Sequence, residues 1–109
     1  MRNVENFKSA LIDLQEIKTI YEKRGYHFKR LSSCNLDDEM KDYENEKQYG
    51  LSEYFYIGPS SSLEWMIGVS LMNDKLTYDF HYFYILSQDE VRQFKTKNEL
   101  LNFLKERIK

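Results

Sequence analysis

The sequence has few of the residues that mark secreted, membrane-bound or disordered chains. It contains one cysteine, one proline and four glycines among 109 residues. A single cysteine excludes an intramolecular disulfide and a cysteine-only zinc site within one copy of the chain. Charged residues interrupt the first twenty positions, and no apolar run approaches the roughly 18 residues of a membrane span. We therefore expect a cytoplasmic protein without membrane contact.

An excess of positive charge is also missing. Sixteen Lys and Arg residues face eighteen Asp and Glu residues, a formal net charge of -2. This balance disfavours the common basic kind of nucleic-acid binder, so we expect no direct nucleic-acid partner. Hydrophobic residues make up 41% and aromatic residues 16% of the chain, enough for a packed core. The length fits one domain over residues 1–109.

Common enzyme signatures are absent as well: the chain has no glycine-rich phosphate loop, no Gly-x-Ser-x-Gly turn and no His-Glu-x-x-His pair. His27, His81 and Cys34 are the residues that could hold a metal, and their spacing does not require one. His81 with Asp79 and Glu53 is the best remaining candidate for a catalytic group. We expect no enzymatic activity, no metal and no cofactor.

The codon bias implied by the composition indicates a source. Phe, Tyr, Met, Ile, Asn and Lys total 45 residues, whereas Gly, Ala, Arg and Pro total 11. The first set has AT-rich codons and the second has GC-rich codons. We expect a gene from an AT-rich bacterium, or from a phage or plasmid living in one.

The N-terminal region has the clearest helical period. Apolar residues recur every three or four positions, which predicts a helix from about Val4 to Arg24. Asn3 can cap its start and Gly25 can supply the left-handed residue after its end. Residues 26–29 then suggest a short extended segment.

A second, weaker helical period follows in the middle of the chain. Leu36, Met40 and Tyr43 lie at helical spacing behind a run of acids, and we expect this helix to stop at Gly50.

From Leu51 onward the period changes to two, which predicts strands. Two long strands flank Asn73 and Asp74, residues that tolerate the positive φ of a tight hairpin turn. A two-residue loop there pairs Leu71 with Leu76 and brings both apolar faces together. Trp65, opposite Tyr82, is expected to be the central packing residue.

A third strand, from Leu51 to Ile57, precedes this hairpin. Pairing Ile57 with Leu63 brings Phe55 beside Trp65 and completes a three-stranded antiparallel meander. Glu53 shares the apolar side of this strand, and we interpret it as protection of a sheet edge rather than a buried ion pair.

Two capping-box patterns follow the strands, Ser87 with Glu90 and Thr96 with Glu99, and the second leads into a final amphipathic helix. The expected fold is α+β: an N-terminal helix, a three-stranded antiparallel meander and a C-terminal helix, with the helices in a single layer on one face of the sheet.

The distribution of charge points to a binding surface. Residues 35–53 hold seven acids and two lysines, a net charge of -5, interleaved with tyrosines. Such a segment can meet a basic partner, with charge speeding the encounter and aromatics anchoring the contact. The alternative is a solvated helix that contacts nothing. The residues that we expect to contact a partner are Asp37, Asp38, Glu39, Asp42, Tyr43, Glu44, Glu46, Tyr49, Glu53 and Tyr54.

A surplus of aromatic and sulfur-containing side chains is expected on the far face of the meander. These residues are Tyr54, Tyr56, Met66, Met72 and Phe83. Left uncovered, they would form a larger apolar patch than a monomer usually exposes. Residues 26–50, a second copy of the chain in a homodimer, or another protein could cover them.

These observations favour a small non-enzymatic protein-binding domain. We expect an inhibitor or immunity-type protein that occludes a partner with a basic surface, such as a nucleic-acid-acting enzyme, through its acidic, tyrosine-bearing segment. The alternative is a small-molecule or peptide-binding domain that uses the aromatic sheet face.

Overall fold

The computed structural model describes residues 2–60, 63–82 and 90–108 and has an α+β architecture. Its elements, in chain order, are α1 (Glu5–Glu22), β1 (His27–Arg30), α2 (Leu36–Glu44), β2 (Gly50–Gly58), β3 (Trp65–Met72), β4 (Lys75–Tyr82), β5 (Glu90–Phe94) and α3 (Lys97–Arg107). The strands form one antiparallel sheet in the order β1-β2-β3-β4-β5. The expected α+β class is confirmed, but the expected three-stranded meander is wrong because a further strand lies on each side of it. None of the helices in the described part of the chain is long and apolar enough to cross a membrane.

The strand on the β2 side comes from the short extended segment after α1. β1 pairs with β2 from His27 opposite Gly58 to Arg30 opposite Phe55. As a result β2 has a neighbour on both sides and is not an edge strand.

The strand on the β4 side, β5, begins at Glu90, a residue predicted to be part of a helix-capping box with Ser87. Because Glu90 lies in this strand and pairs with Tyr82, it is not in the first turn of a helix. Ser87 lies outside the described residues. β5 is an edge strand with three exposed residues in its middle, so its sequence has no buried face to produce an alternation of apolar and polar residues.

The hairpin between β3 and β4 has the expected register. Leu71 pairs with Leu76 and Trp65 pairs with Tyr82, around a turn in which Asn73 and Asp74 have φ of 50° and 62°. Both turn residues are in the left-handed region, as a type I′ turn requires.

The register of β2 against β3 differs from expectation by two residues. Ile57 pairs with Trp65 rather than with Leu63, and Phe55 pairs with Ile67. The connection between β2 and β3 is therefore two residues longer than predicted. Within it, the backbone N–H of Glu64 donates to the carbonyl of Ile57 at 3.1 Å. An even shift leaves every side chain on its expected face.

One face of the sheet, the core face, carries the apolar core. Buried side chains from all three helices pack there with residues of β2, β3 and β4. Phe7, Ile17, Tyr21, Ile67 and Phe80 are completely buried. Phe103 of α3 packs edge-on against Phe80, with 4.8 Å between ring centroids. We call the opposite side of the sheet the open face.

α1 is shorter than predicted at both ends, because it begins at Glu5 and ends at Glu22. Its N-cap residue is Val4 rather than Asn3, and Val4 makes no side-chain cap bond. The Asn3 side chain accepts a hydrogen bond from the Glu5 backbone N–H at 2.8 Å. At the other end Gly25 has a φ of +92°, and the Tyr26 N–H donates back to the Tyr21 carbonyl at 3.0 Å. This is the Schellman arrangement of a helix that ends on glycine.

The expected end of α2 at Gly50 is wrong, because the helix ends at Glu44 and Gly50 begins β2. A Cβ at Gly50 would lie 2.8 Å from the Leu71 carbonyl oxygen and would collide with Met72. Gly50 therefore serves the close approach of β2 to β3.

Trp65 is not the central packing residue, since it is only half-buried at the end of β3 whereas Phe80 is fully buried. We therefore expect Phe80→Ala to lower the free energy of unfolding by about 3–5 kcal/mol, the usual effect of deleting a buried aromatic ring. Trp65→Ala should lower the free energy of unfolding by less than Phe80→Ala does. Urea denaturation of both variants tests this order, and a larger loss for Trp65→Ala would contradict it.

Candidate functional site

The outward side of α2 and the loop that follows it form a strongly acidic surface. Asn35 caps the helix by accepting hydrogen bonds from the backbone N–H groups of two acids in the first turn. Met40 and Tyr43 are buried, whereas Asp37, Asp38, Lys41 and Asp42 are exposed. The exposed residues that we call the acidic surface are Asp37, Asp38, Asp42, Glu46 and Tyr49.

The acids of this surface have no ion-pair partner among the described residues. Exposed acids of α1 behave differently: Glu5 lies 3.6 Å from Lys8, Glu22 lies 3.4 Å from Lys18, and Glu16 lies 2.7 Å from Lys97. Residues 35–50 hold six acids and two lysines, a net charge of -4. The negative charge of the acidic surface is thus left uncompensated by the fold.

Tyr49 is the most exposed large side chain of this region, at 78%. The loop that carries it is held by its neighbour Gln48, whose side-chain amide donates to Glu39 at 2.7 Å and to the Gly50 carbonyl at 3.0 Å. Arg2 donates from Nη1 to the Gln48 carbonyl at 2.5 Å. The backbone beside Tyr49 is therefore fixed while its ring is presented to solvent, which lowers the entropic cost of a contact.

Glu46 occupies a strained backbone position in the same loop. Its φ is +59°, its N–H donates to the Tyr43 carbonyl, and the Lys47 N–H donates to the Asp42 carbonyl at 2.8 Å. This is again the Schellman arrangement, with Glu46 at the position that Gly25 occupies after α1. A residue with a Cβ is less stable there than glycine, so the fold keeps this carboxylate at a cost in stability.

Several of the residues predicted to contact a partner are not on the acidic surface. Glu39 and Glu44 are half-buried at its margin. Tyr43 is completely buried and donates its hydroxyl to Asp74 at 2.9 Å. Burial, with the bond to Asp74, raises the pKa of Tyr43 above its ordinary value.

Glu53 lies on the core face and is only 5% exposed. Both of its carboxylate oxygens accept from the Arg30 Nε, at 2.8 and 3.1 Å. Its interpretation as edge protection is wrong, because β1 covers the edge of β2 and supplies the arginine. The sequence did not indicate this ion pair, which depends on a strand pairing between distant residues.

Tyr54 follows Glu53 and so points to the open face, away from the acidic surface. There it forms a polar triad with two residues that the sequence interpretation did not group with it. The Tyr54 hydroxyl donates to Asp79 Oδ2 at 2.5 Å, and the Ser70 hydroxyl donates to the same oxygen at 2.7 Å. The two hydroxyl oxygens lie 2.7 Å apart.

The triad is largely shielded from water. Asp79 is 1% exposed and Ser70 is 9% exposed. Asp79 Oδ1 has no hydrogen-bond partner among the described residues. Burial, and then the bond to Asp79, raises the pKa of Tyr54 to about 12.

The residues predicted as candidates for metal binding or catalysis do not assemble. No group of three His, Cys, Asp or Glu side chains within the described ranges could hold a metal ion. The Cys34 thiol lies 3.8 Å from an Arg30 nitrogen. Glu53 is on the core face, whereas strand alternation places Asp79 and His81 on the open face, so these three cannot act on one substrate.

Comparison with known proteins adds no assignment: no protein-family model matches the chain, and no curated protein or solved structure matches it significantly. A functional assignment therefore depends on the chemistry of the acidic surface and of the open face.

Replacing Glu46 tests the strain at the acidic surface. We expect Glu46→Gly to raise the free energy of unfolding by about 1 kcal/mol, because glycine adopts a positive φ without strain. Gly25→Ala, at the equivalent position after α1, has no atom within 4 Å of the new Cβ and should lower it by a similar amount. Urea midpoints measure both changes, and a destabilising Glu46→Gly would contradict the assignment.

The raised pKa of Tyr54 predicts a loss of stability in alkali. An unfolded tyrosine loses its proton near pH 10, whereas Tyr54 keeps its proton until about pH 12 in the folded chain. The unfolded state therefore binds fewer protons over this window, and stability falls as the pH rises through it. Tyr54→Phe should make the urea midpoint less sensitive to pH between about pH 9 and pH 12. An unchanged slope would show that Tyr54 titrates normally.

Proposed function

We propose that this chain is a non-enzymatic binding protein that occludes a partner with a basic surface, in the manner of an inhibitor or immunity protein. The observation that carries the proposal is the acidic surface itself, whose carboxylates have no basic partner in the described chain. Within the described chain, the exposed acids of α1 have lysine partners, whereas α2 and its loop bring four unpaired exposed acids together within ten residues.

Two further features support this proposal. Tyr49 adds an exposed aromatic ring beside the acids, and tyrosine is one of the residues that contribute most to protein interfaces. Glu46 keeps a carboxylate where glycine would be more stable, as functional surfaces often do. A helix N-terminus rich in acids explains Asp37 and Asp38 by the helix dipole, but explains neither Tyr49 nor Glu46.

The size and charge of the chain suit an occluding protein. A domain of 13.3 kDa can cover a standard interface of about 800 Å² per partner with one side of its surface. Long-range attraction between the acids and a basic patch would speed association. The AT-rich composition fits a bacterial or mobile-element source, in which the partner could be a nucleic-acid-acting enzyme.

Charge reversal on the acidic surface tests the proposal. Asp42→Lys with Glu46→Lys changes the net charge by +4 near the C-terminal end of α2, where the helix dipole favours lysine, so the fold should persist. Proteins retained by the immobilised wild type from an AT-rich bacterial lysate should be lost or strongly reduced. The matched control, Glu64→Lys with Glu106→Lys, makes the same charge change at exposed positions outside the surface and should retain them.

Once a partner is captured, association and dissociation rates separate the two parts of the contact. Charge reversal should lower the association rate and flatten its salt dependence, whereas Tyr49→Ala should chiefly raise the dissociation rate. If both charge variants retain the same proteins as the wild type in equal yield, the acidic surface is solvated and is not the contact.

A further inference from the structure

The open face of the sheet has a charge opposite to that of the acidic surface. Strand pairing places the exposed His27 and Lys29 of β1 and the exposed Lys75 of β4 on this face. Among the described strand residues, its one carboxylate is Asp79, which is buried in the polar triad. The solvent-facing charge of the strands on this side is therefore basic, although the whole chain has a net charge of -2.

Tyr54 lies across the middle of this face. Its side chain crosses Gly68 on β3 to reach Asp79 on β4, and Tyr54, Gly68 and Asp79 are successive cross-strand neighbours. A Cβ at Gly68 would collide with the Tyr54 ring, so glycine is required for this ring position. The bonds to Ser70 and Asp79 then hold the phenol in place.

A second aromatic ring lies close to the Tyr54 ring. The His81 ring lies 5.7 Å from the Tyr54 ring at an interplanar angle of 82°. An aromatic platform that is already oriented loses little conformational entropy when a ligand stacks on it.

A polar recess of about 230 Å³ adjoins the hydroxyl end of the platform. Its lining is Ser70, Met72, Lys75, Thr77 and Gln93. Ser70 belongs to both features, since its hydroxyl contacts Tyr54 and its side chain lines the recess. The half-buried Tyr54 ring and a lysine-bearing recess therefore lie next to each other on the open face.

We propose that the open face binds single-stranded nucleic acid, with a base stacked on Tyr54 and the adjoining phosphate held at the recess by Lys75. Every base has a flat π-face, and stacking on aromatic side chains beside basic groups is how proteins hold single strands without reading their sequence. This site goes beyond the proposed function and does not depend on it.

The same features disfavour a duplex and an acidic peptide. A duplex keeps its bases stacked on one another, so Tyr54 could contact only its backbone. An acidic peptide would satisfy the lysines but would leave the aromatic platform without a matching planar group. The total charge of the chain disfavours nucleic-acid contact, but that total averages the acidic surface with this basic face.

Fluorescence anisotropy with labelled ten-nucleotide single strands of mixed sequence, one DNA and one RNA, tests the site. Saturable binding is expected at about 50 mM salt, and a duplex of the same sequence should bind at least several-fold more weakly. Tyr54→Ala should weaken binding by about tenfold or more through loss of the stacked base. Circular dichroism and urea midpoints establish that this variant is folded.

Lys75→Gln and Lys23→Gln form a matched pair that does not disturb the triad. Lys23 is exposed at the end of α1, outside the sheet, so it reports the effect of net charge alone. Lys75→Gln should weaken binding several-fold and reduce the slope of log affinity against log salt by about 0.7, whereas Lys23→Gln should change neither substantially.

Three results would overturn the site: no saturable binding of either strand at about 50 mM salt, equal losses for Lys75→Gln and Lys23→Gln, or a duplex bound as tightly as a single strand. Capture of a peptide by this face without binding of an oligonucleotide would also overturn it. In the Asp42→Lys, Glu46→Lys variant, Tyr54→Ala should still weaken oligonucleotide binding. Failure of the partner proposal is therefore distinguishable from failure of this one.

Discussion

The two-residue turn at Asn73 and Asp74 determines the register of β3 and β4, and both faces of the molecule depend on that register. It places Phe80 on the core face and Asp79 on the open face. A slip by one residue would exchange them, burying a carboxylate under the helices and exposing a phenylalanine. The turn is therefore the constraint that separates a largely apolar core from a polar sheet surface.

The two faces use different means to bury their residues. On the core face, helices exclude water from apolar side chains, with Glu53 and Arg30 as a paired exception. On the open face, no helix of the described chain covers the sheet, and Tyr54 itself shields Asp79 and Gly68 from water. A buried carboxylate with one unpartnered oxygen is less stable than an apolar packing of similar volume. In this structure the Asp79 carboxylate accepts the Tyr54 hydroxyl and so orients the Tyr54 ring.

The sequence predicted those features that depend on local periodicity. The α1 pattern, the capping box at Thr96 and the hairpin parity each involve residues close together in the chain, and each is present in the structure. The β5 strand was missed because an exposed edge strand has no buried face to impose alternation. The predicted β2–β3 register is wrong by two residues, because a shift by an even number of residues leaves every side chain on the same face of the sheet.

The candidate sites were harder to predict because they depend on contacts between distant residues. Acidic composition identified the α2 region, but it did not separate the exposed Tyr49 from the buried Tyr43, since their exposure depends on how α2 packs. The polar triad required the β2–β3 register, which brings Tyr54 opposite Gly68. In the correct register Gly68 of β3 lies between Tyr54 of β2 and Asp79 of β4, and this arrangement would have indicated the polar triad.

The chain carries two surfaces of opposite charge, one on each side of the sheet. The acidic surface lies on α2, on the helical side of the sheet, and the basic residues of the open face lie on the other side. The two surfaces approach each other at the turn between β3 and β4, where Glu46 lines a pocket with Asn73 and Asp74, next to Lys75. Charges within about 8 Å, the Debye length at physiological ionic strength, are only partly screened from each other. Contacts made at Lys75 and at Glu46 therefore influence each other near this turn, although the net charge of -2 conceals both surfaces.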